Sequence, residues 1–498
     1  MFLAQYTVRQ GDEMTLCETK PLNSMTDKQY RIEKDSLGEM EVPVEAYYGA
    51  QTVRALENFP ISGIRPHPVF TRSIVYIKKA AAKVNNELGY LSNDRSKAII
   101  KAADRIIGGE FEDQFVVDVY QAGAGTSFNM NVNEVIANIA IEALGGEKGD
   151  YSIVHPNDHV NFGQSTNDVF PTAMRTAALF LLKELFTVVD ELVDSLNEKV
   201  EEFDGIIKPG RTHLQDAVPI RLGQEFSGYA DAVSKSAERI EKASDELKEL
   251  GIGGTAVGTG INTHPDYAKK MVKELQEITV LDVRGATNCF EAMQSNAPVT
   301  EVSGALKVFA IELIRIANDL RLMSSGPKTG LSEINLPAVQ PGSSIMPGKV
   351  NPVIAEMLNM VCFSIIGNDL TIGMASQAGQ LEINVMMPVM QYKLLDSISI
   401  MTNALNVFIT KCIKGITANE DICYKHAVNS MGVVTALCPY IGYSSAAEVV
   451  NESLLTGESI REIVLKKELI PEDKLNEILS PESMTKPGII RTGNTKIT

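Results

Sequence analysis

From residue 172 to residue 204 the chain runs without glycine or proline, and Leu182, Leu185, Val189, Leu192, Leu196 and Val200 recur at intervals of three or four. That spacing places them on one face of a helix about 50 Å long, at about 1.5 Å of rise per residue. Pro171 stands where such a helix should begin and Gly205 where it should end. A second stripe passes through Leu222, Phe226, Tyr229, Val233, Ala237, Ile240, Ala243 and Leu247, and stops before Gly251. A third follows Val302, Leu306, Phe309, Leu313, Ile316 and Leu320, and helical stretches continue over about 351–371 and 389–414. Alternation at every second residue is scarce, so the fold class is mainly α. Helices this long do not fit a small globule and imply a bundle. Past Gly415 the periodic segments shorten among glycines, prolines and charges, which marks a small C-terminal domain.

Between the helices lie polar loops at 121–133, 155–168, 208–219, 251–264 and 324–352. The last contains QPGSSIMPGKVNP at 340–352, where prolines restrict the backbone and glycines free it. Such a loop moves between a few defined positions, as an active-site lid does. Ser343 and Ser344 offer hydroxyls, Lys349 a positive charge and Asn351 an amide. GAGTSFNMNVNE at 123–134 brings Thr126, Ser127 and Asn129 to a helix N-terminus, a ready anion site. HPNDHVNFGQSTND at 155–168 does the same with Ser165, Thr166 and Asn167, and GRTHLQDA at 210–217 adds Thr212 and His213. Each string alone has an ordinary reading as a cap or a connection. Together they supply hydroxyls, amides, one lysine and one histidine, an inventory suited to a small, heavily oxygenated anion. No cofactor is called for: there is no phosphate loop, and the glycines of GIGGTAVGTG follow no strand pattern. No metal is called for either, because the histidines and aspartates of 155–168 lack ligand spacing.

Charge narrows the partners. Lys+Arg 46 against Asp+Glu 63 leaves −17, which argues against nucleic acid and requires any anionic substrate to find a local cationic site. Six cysteines without a CxxC pair read as reduced thiols of a cytoplasmic protein. No run approaches the roughly 18 apolar residues of a membrane span. The first thirty residues lack a signal pattern and read as a disordered or loosely attached extension, with Met14 or Met25 as alternative starts.

GSSIMPGKVNP closely resembles the signature loop of the aspartase/fumarase superfamily, whose members eliminate across a C–N or C–O bond to release fumarate. The three other strings match the family in order, so the resemblance covers about residue 31 to the end. It implies a mostly helical three-domain subunit, here 31–166, 167–422 and 423–498 after the extension at 1–30. It also implies a homotetramer whose active sites each draw loops from three chains. GAGTS at 123–127, DQFVVD at 113–118, QSTND at 164–168 and GITANED at 415–421 resemble the members that release ammonia. VHPNDHVN, GAQT and GTGINTHP resemble the hydratases, and GRTHLQDA occurs in both. The strings nearest the expected amino group favour elimination of ammonia from L-aspartate, with class II fumarate hydratase as the alternative. A non-catalytic crystallin would be free to lose Ser343, Lys349 or His213, and all three stand.

By resemblance Ser343 is the general base, assisted by Lys349. Thr126, Ser165, Thr166 and Ser344 hold the β-carboxylate, and Thr212, Lys349 and Asn351 hold the α-carboxylate. Asn167 and His213 lie near the departing amine, and Glu356 is the implied partner of His213.

Overall fold

The computed structural model describes residues 29–489. The extension expected at 1–30 thus lies outside the described residues, apart from its last two. An antiparallel hairpin opens the fold, β1 (Tyr30–Asp35) with β2 (Gly38–Pro43). It leads into α1 (Ala50–Asn58), α2 (Pro68–Glu87), α3 (Asn93–Ile107) and α4 (Thr126–Ala143). α4 buries polar Asn129, Asn131, Asn133, Glu134 and Asn138 among its apolar residues. Groups withdrawn from water on that scale need internal partners, and α4 finds them in neighbouring loops.

The expected long helix is α5 (Thr166–Glu202), 37 residues. It begins five residues before Pro171, the predicted start, so Pro171 lies inside it. The reason is local. Ser165 Oγ accepts the Asn167 N–H at 3.1 Å, and the Asp168 carboxylate accepts the Ser165 N–H at 2.9 Å. This reciprocal cap fixes the helix start upstream, and the proline then removes only one hydrogen bond near the first turns.

A hairpin of β3 (Ile207–Thr212) and β4 (Gln215–Arg221) follows, then α6 (Leu222–Ser244). Next come α7 (Tyr267–Thr279), the short α8 (Cys289–Gln294) and α9 (Ala297–Met323). The bundle is completed by α10 (Val353–Gln377) and α11 (Met387–Lys411), and α12 (Glu420–Asn429) starts the C-terminal part. One buried apolar cluster runs from Ala55 to Ile416. A separate one, with Val433, Leu437, Val449, Ile463 and Leu475, holds the short C-terminal helices together.

α10 departs from expectation. By length and composition it is apolar enough to cross a membrane, although no such segment was anticipated. Yet Met360, Phe363, Leu370 and Met374 stand 57–67% exposed along it. These side chains form an exposed apolar stripe along the helix.

Candidate active site

The predicted site residues fall into three groups within the chain. The first lies where α4 and α5 begin side by side. Gly125, at φ +86°, precedes α4, and a side chain there would overlap the Phe170 ring of α5. The two helix starts are therefore pressed together at a position that only glycine fills. Thr126 opens α4, exposed and without a hydrogen bond to its hydroxyl among the described residues. Thr166 opens α5, buried, and its Oγ1 accepts the Asn129 amide at 3.0 Å. Asn167 donates to the Ala256 carbonyl at 2.8 Å, which leaves its amide oxygen for other donors. Beneath them Asp168 accepts the backbone N–H groups of Gly253 and Thr255, both at 3.0 Å. Burial pushes its carboxyl up to about 6 against those hydrogen bonds and the charge of Lys78. Two helix N-termini meet in this group, an arrangement that can attract an anion.

Lys78, which sequence patterning did not single out, sits behind this group, fully buried on α2. Its ammonium donates to Asn161 Oδ1 at 2.7 Å and Gln164 Oε1 at 3.0 Å. Burial pushes it down to about 7.

The second group is the tip of the β3–β4 hairpin. His213 and Leu214 adopt φ 55° and 60°, a two-residue turn between paired Thr212 and Gln215 that presents both side chains outward. Glu333, fully buried and also missed, anchors the base of this hairpin. Its carboxylate lies 2.8 Å from Arg211, 3.4 Å from Lys208 and 3.4 Å from His426 Nδ1 of α12.

The third group is the 340–352 loop. Ser343 Oγ accepts backbone N–H groups from Ile345 at 3.2 Å and Met346 at 2.8 Å. The loop closes on itself through Gly342 N–H to the Lys349 carbonyl and Asn351 Nδ2 to the Gly342 carbonyl, each 2.7 Å. Ser344 and Lys349 are exposed, and the side chains of both make no hydrogen bond or ion pair among the described residues. Glu356, in the first turn of α10, lies 4.0 Å from Arg321. No hydrogen bond or ion pair among the described residues joins it to His213, so the pairing implied by resemblance is not made within one chain.

No hydrogen bond or ion pair links one group to another among the described residues, and for two of them a geometric bound explains why. From Thr166 to Glu202 α5 rises about 54 Å at about 1.5 Å per residue. Thr212 follows ten residues later, and a fully extended chain of that length returns at most about 35 Å. Thr166 and Thr212 of one chain thus stay about 20 Å apart or more, too far for one small anion to touch both.

Comparison with known proteins agrees with this architecture. The chain matches the family described as Lyase over residues 38–367 and the one described as Fumarase C C-terminus over residues 433–486. An aspartate ammonia-lyase of Bacillus sp is 53% identical over 92% of this chain and 98% of its own. The crystal structure of a fumarate lyase:delta crystallin from Brucella melitensis superposes with a TM-score of 0.90 at 46% identity, covering 92% of this chain and all of that one. A class II fumarase from Schistosoma mansoni superposes with a TM-score of 0.88 at 38% identity, over 92% and 99% of the two chains.

Proposed function

The chain belongs to the aspartase/fumarase superfamily, and from that premise we propose that it eliminates ammonia reversibly from L-aspartate to give fumarate, with Ser343 as the base. The observation that carries the mechanism is the pair of backbone N–H groups on Ser343 Oγ. A serine hydroxyl is a poor base in water. Two N–H donors aimed at its oxygen, with the Lys349 ammonium on the same loop, stabilise the alkoxide that would take the Cβ proton.

Removal of that proton leaves a second negative charge on the β-carboxylate, as an aci-carboxylate dianion. Thr126, Ser165, Thr166 and Ser344 surround this charge in our reading, and the two helix N-termini add their dipoles. Thr212, Lys349 and Asn351 hold the α-carboxylate. Collapse of the dianion forms the C=C bond and expels the amine as ammonia beside Asn167 and His213. No cofactor takes part, since the reaction needs only a base and fixed donors.

We assign the complete site to three chains of a homotetramer. The separation of Thr166 from Thr212 supports this, and so does the exposed apolar stripe of α10. Glu356 would then meet His213 of another chain. We retain the domain division at 31–166, 167–422 and 423–498. A reducing compartment, the cytoplasm, suits the free thiols at Cys289, Cys362, Cys412, Cys423 and Cys438.

The test follows fumarate by its ultraviolet absorbance in parallel reactions with L-aspartate and L-malate. Fumarate from aspartate alone is expected. Fumarate from malate alone would replace this reading with hydration.

A further inference from the structure

Lys78 poses an energetic problem that the proposed mechanism leaves open. A buried ammonium is costly, and an apolar residue of similar length would fill the space at less cost. Lys78 has no carboxylate within ion-pair distance among the described residues. Its hydrogen-bond partners are the amide oxygens of Asn161 and Gln164, and the Asp168 carboxylate acts on it only from beyond contact distance.

An ammonium has three donors and no acceptor. It therefore dictates that Asn161 and Gln164 turn their oxygens toward it, whichever way an amide would otherwise be placed. Asn161 Oδ1, so fixed, also accepts the amide N–H groups of Asn129 and Asn133, each at 3.3 Å. The Asn129 amide in turn donates to Thr166 Oγ1 at 3.0 Å. Thr166, having accepted there, keeps its own proton to give. Every link from Lys78 to Thr166 is set by the residue behind it, and the last proton is left for a ligand at the start of α5.

We propose that Lys78 is a positioning residue: through Asn161 and Asn129 it holds the Thr166 hydroxyl as a donor to the β-carboxylate and, while it holds its proton, places a buried positive charge behind the dianion. This rests on the reaction proposed above. The substrate carboxylate carries one charge and the aci-carboxylate two, so a fixed cation and a committed donor favour the later species.

Two probes separate the states. Succinate presents two ordinary carboxylates, and the nitronate of 3-nitropropionate presents a planar group, doubly bonded to carbon, with formal negative charge on both oxygens as in the intermediate. In Lys78→Met, with oligomer and helicity retained, nitronate affinity should fall about ten- to a hundredfold while succinate affinity moves little. The kcat for aspartate should fall with it more than KM changes. Asn161→Asp provides a second reading if Lys78→Met does not fold, because a carboxylate beside Lys78 cancels its charge without opening a cavity. It should lower the nitronate-to-succinate ratio likewise. An unchanged ratio in either folded variant overturns the proposal, as does an equal loss for both probes, which a merely structural role would give. If the unaltered protein releases no fumarate from aspartate, the reaction itself has been misassigned. The role of Lys78 falls with it, by a different result.

Discussion

The Met346 N–H points at the Ser343 hydroxyl oxygen from 2.8 Å, within a largely exposed loop. A backbone donor cannot rotate away as a side chain can, so the serine oxygen is held where negative charge is favoured. Ser343→Ala should therefore lower kcat about a thousandfold or more, while the oligomer and its thermal midpoint are preserved. Steady-state rates with L-aspartate, read beside a sizing profile, check this. Near-normal turnover would remove Ser343 as the base.

Gly125 tests the joint between α4 and α5. Gly125→Ala places a methyl group against the Phe170 ring at a φ that L-residues avoid. Overpacking costs about 1–3 kcal/mol and the left-handed backbone about 1–2 more. The midpoint of urea unfolding should drop accordingly, and aspartate binding should weaken as Thr126 shifts relative to Thr166. A neutral substitution would show that the two helix starts do not need this close approach.

Sharing of sites between chains has a direct test in mixed oligomers. Ser343→Ala and His213→Ala should each be nearly inactive. Unfolded together at equal amounts and refolded, they should recover roughly a quarter of the native rate, since random assembly gives some sites one intact serine and one intact histidine. No recovery would place both residues of a site on one chain.

Titration of Lys78 should appear in stability. Burial lowers it from 10.5 to about 7, so between those values the unfolded chain holds a proton that the folded chain has released. Folding free energy then rises with pH across that window, by at most about 1.4 kcal/mol per unit. Asp168 acts in the opposite sense lower down: raised from 3.8 to about 6, it makes stability fall as pH climbs through that range. Urea unfolding of the native chain and of Lys78→Met at about pH 7 and about pH 9 isolates the lysine. The native chain should gain more stability on going up, and parallel changes would show that Lys78 keeps its proton throughout.

The long helices were legible because their apolar stripes repeat over many turns, and α6 and α9 lie where those stripes predict. The polar strings were legible because glycine and proline punctuate them. The start of α5 was misplaced because Pro171 satisfies a first-turn rule, while the Ser165 and Asp168 cap decides the boundary. Lys78 was invisible for another reason. It lies on a helix beside Lys79, which reaches Asp104 near the surface, and its own partner Asn161 is 83 residues away. Glu333 is hidden in the same way, meeting Lys208, Arg211 and His426 only after folding. The exposed apolar face of α10 was not legible in the sequence. Composition does not distinguish an inward face from one turned toward a neighbour.

The length of α5 has a further consequence. With Thr166 at one end and the His213 hairpin just beyond the other, the helix acts as a spacer. In the proposed assembly its span sets the distance between neighbouring catalytic centres. Adding or deleting one turn in its middle would leave every listening loop chemically intact and would still put two centres out of register. Tolerance to insertion should thus be lowest in the most regular segment of the chain and higher in its short C-terminal helices.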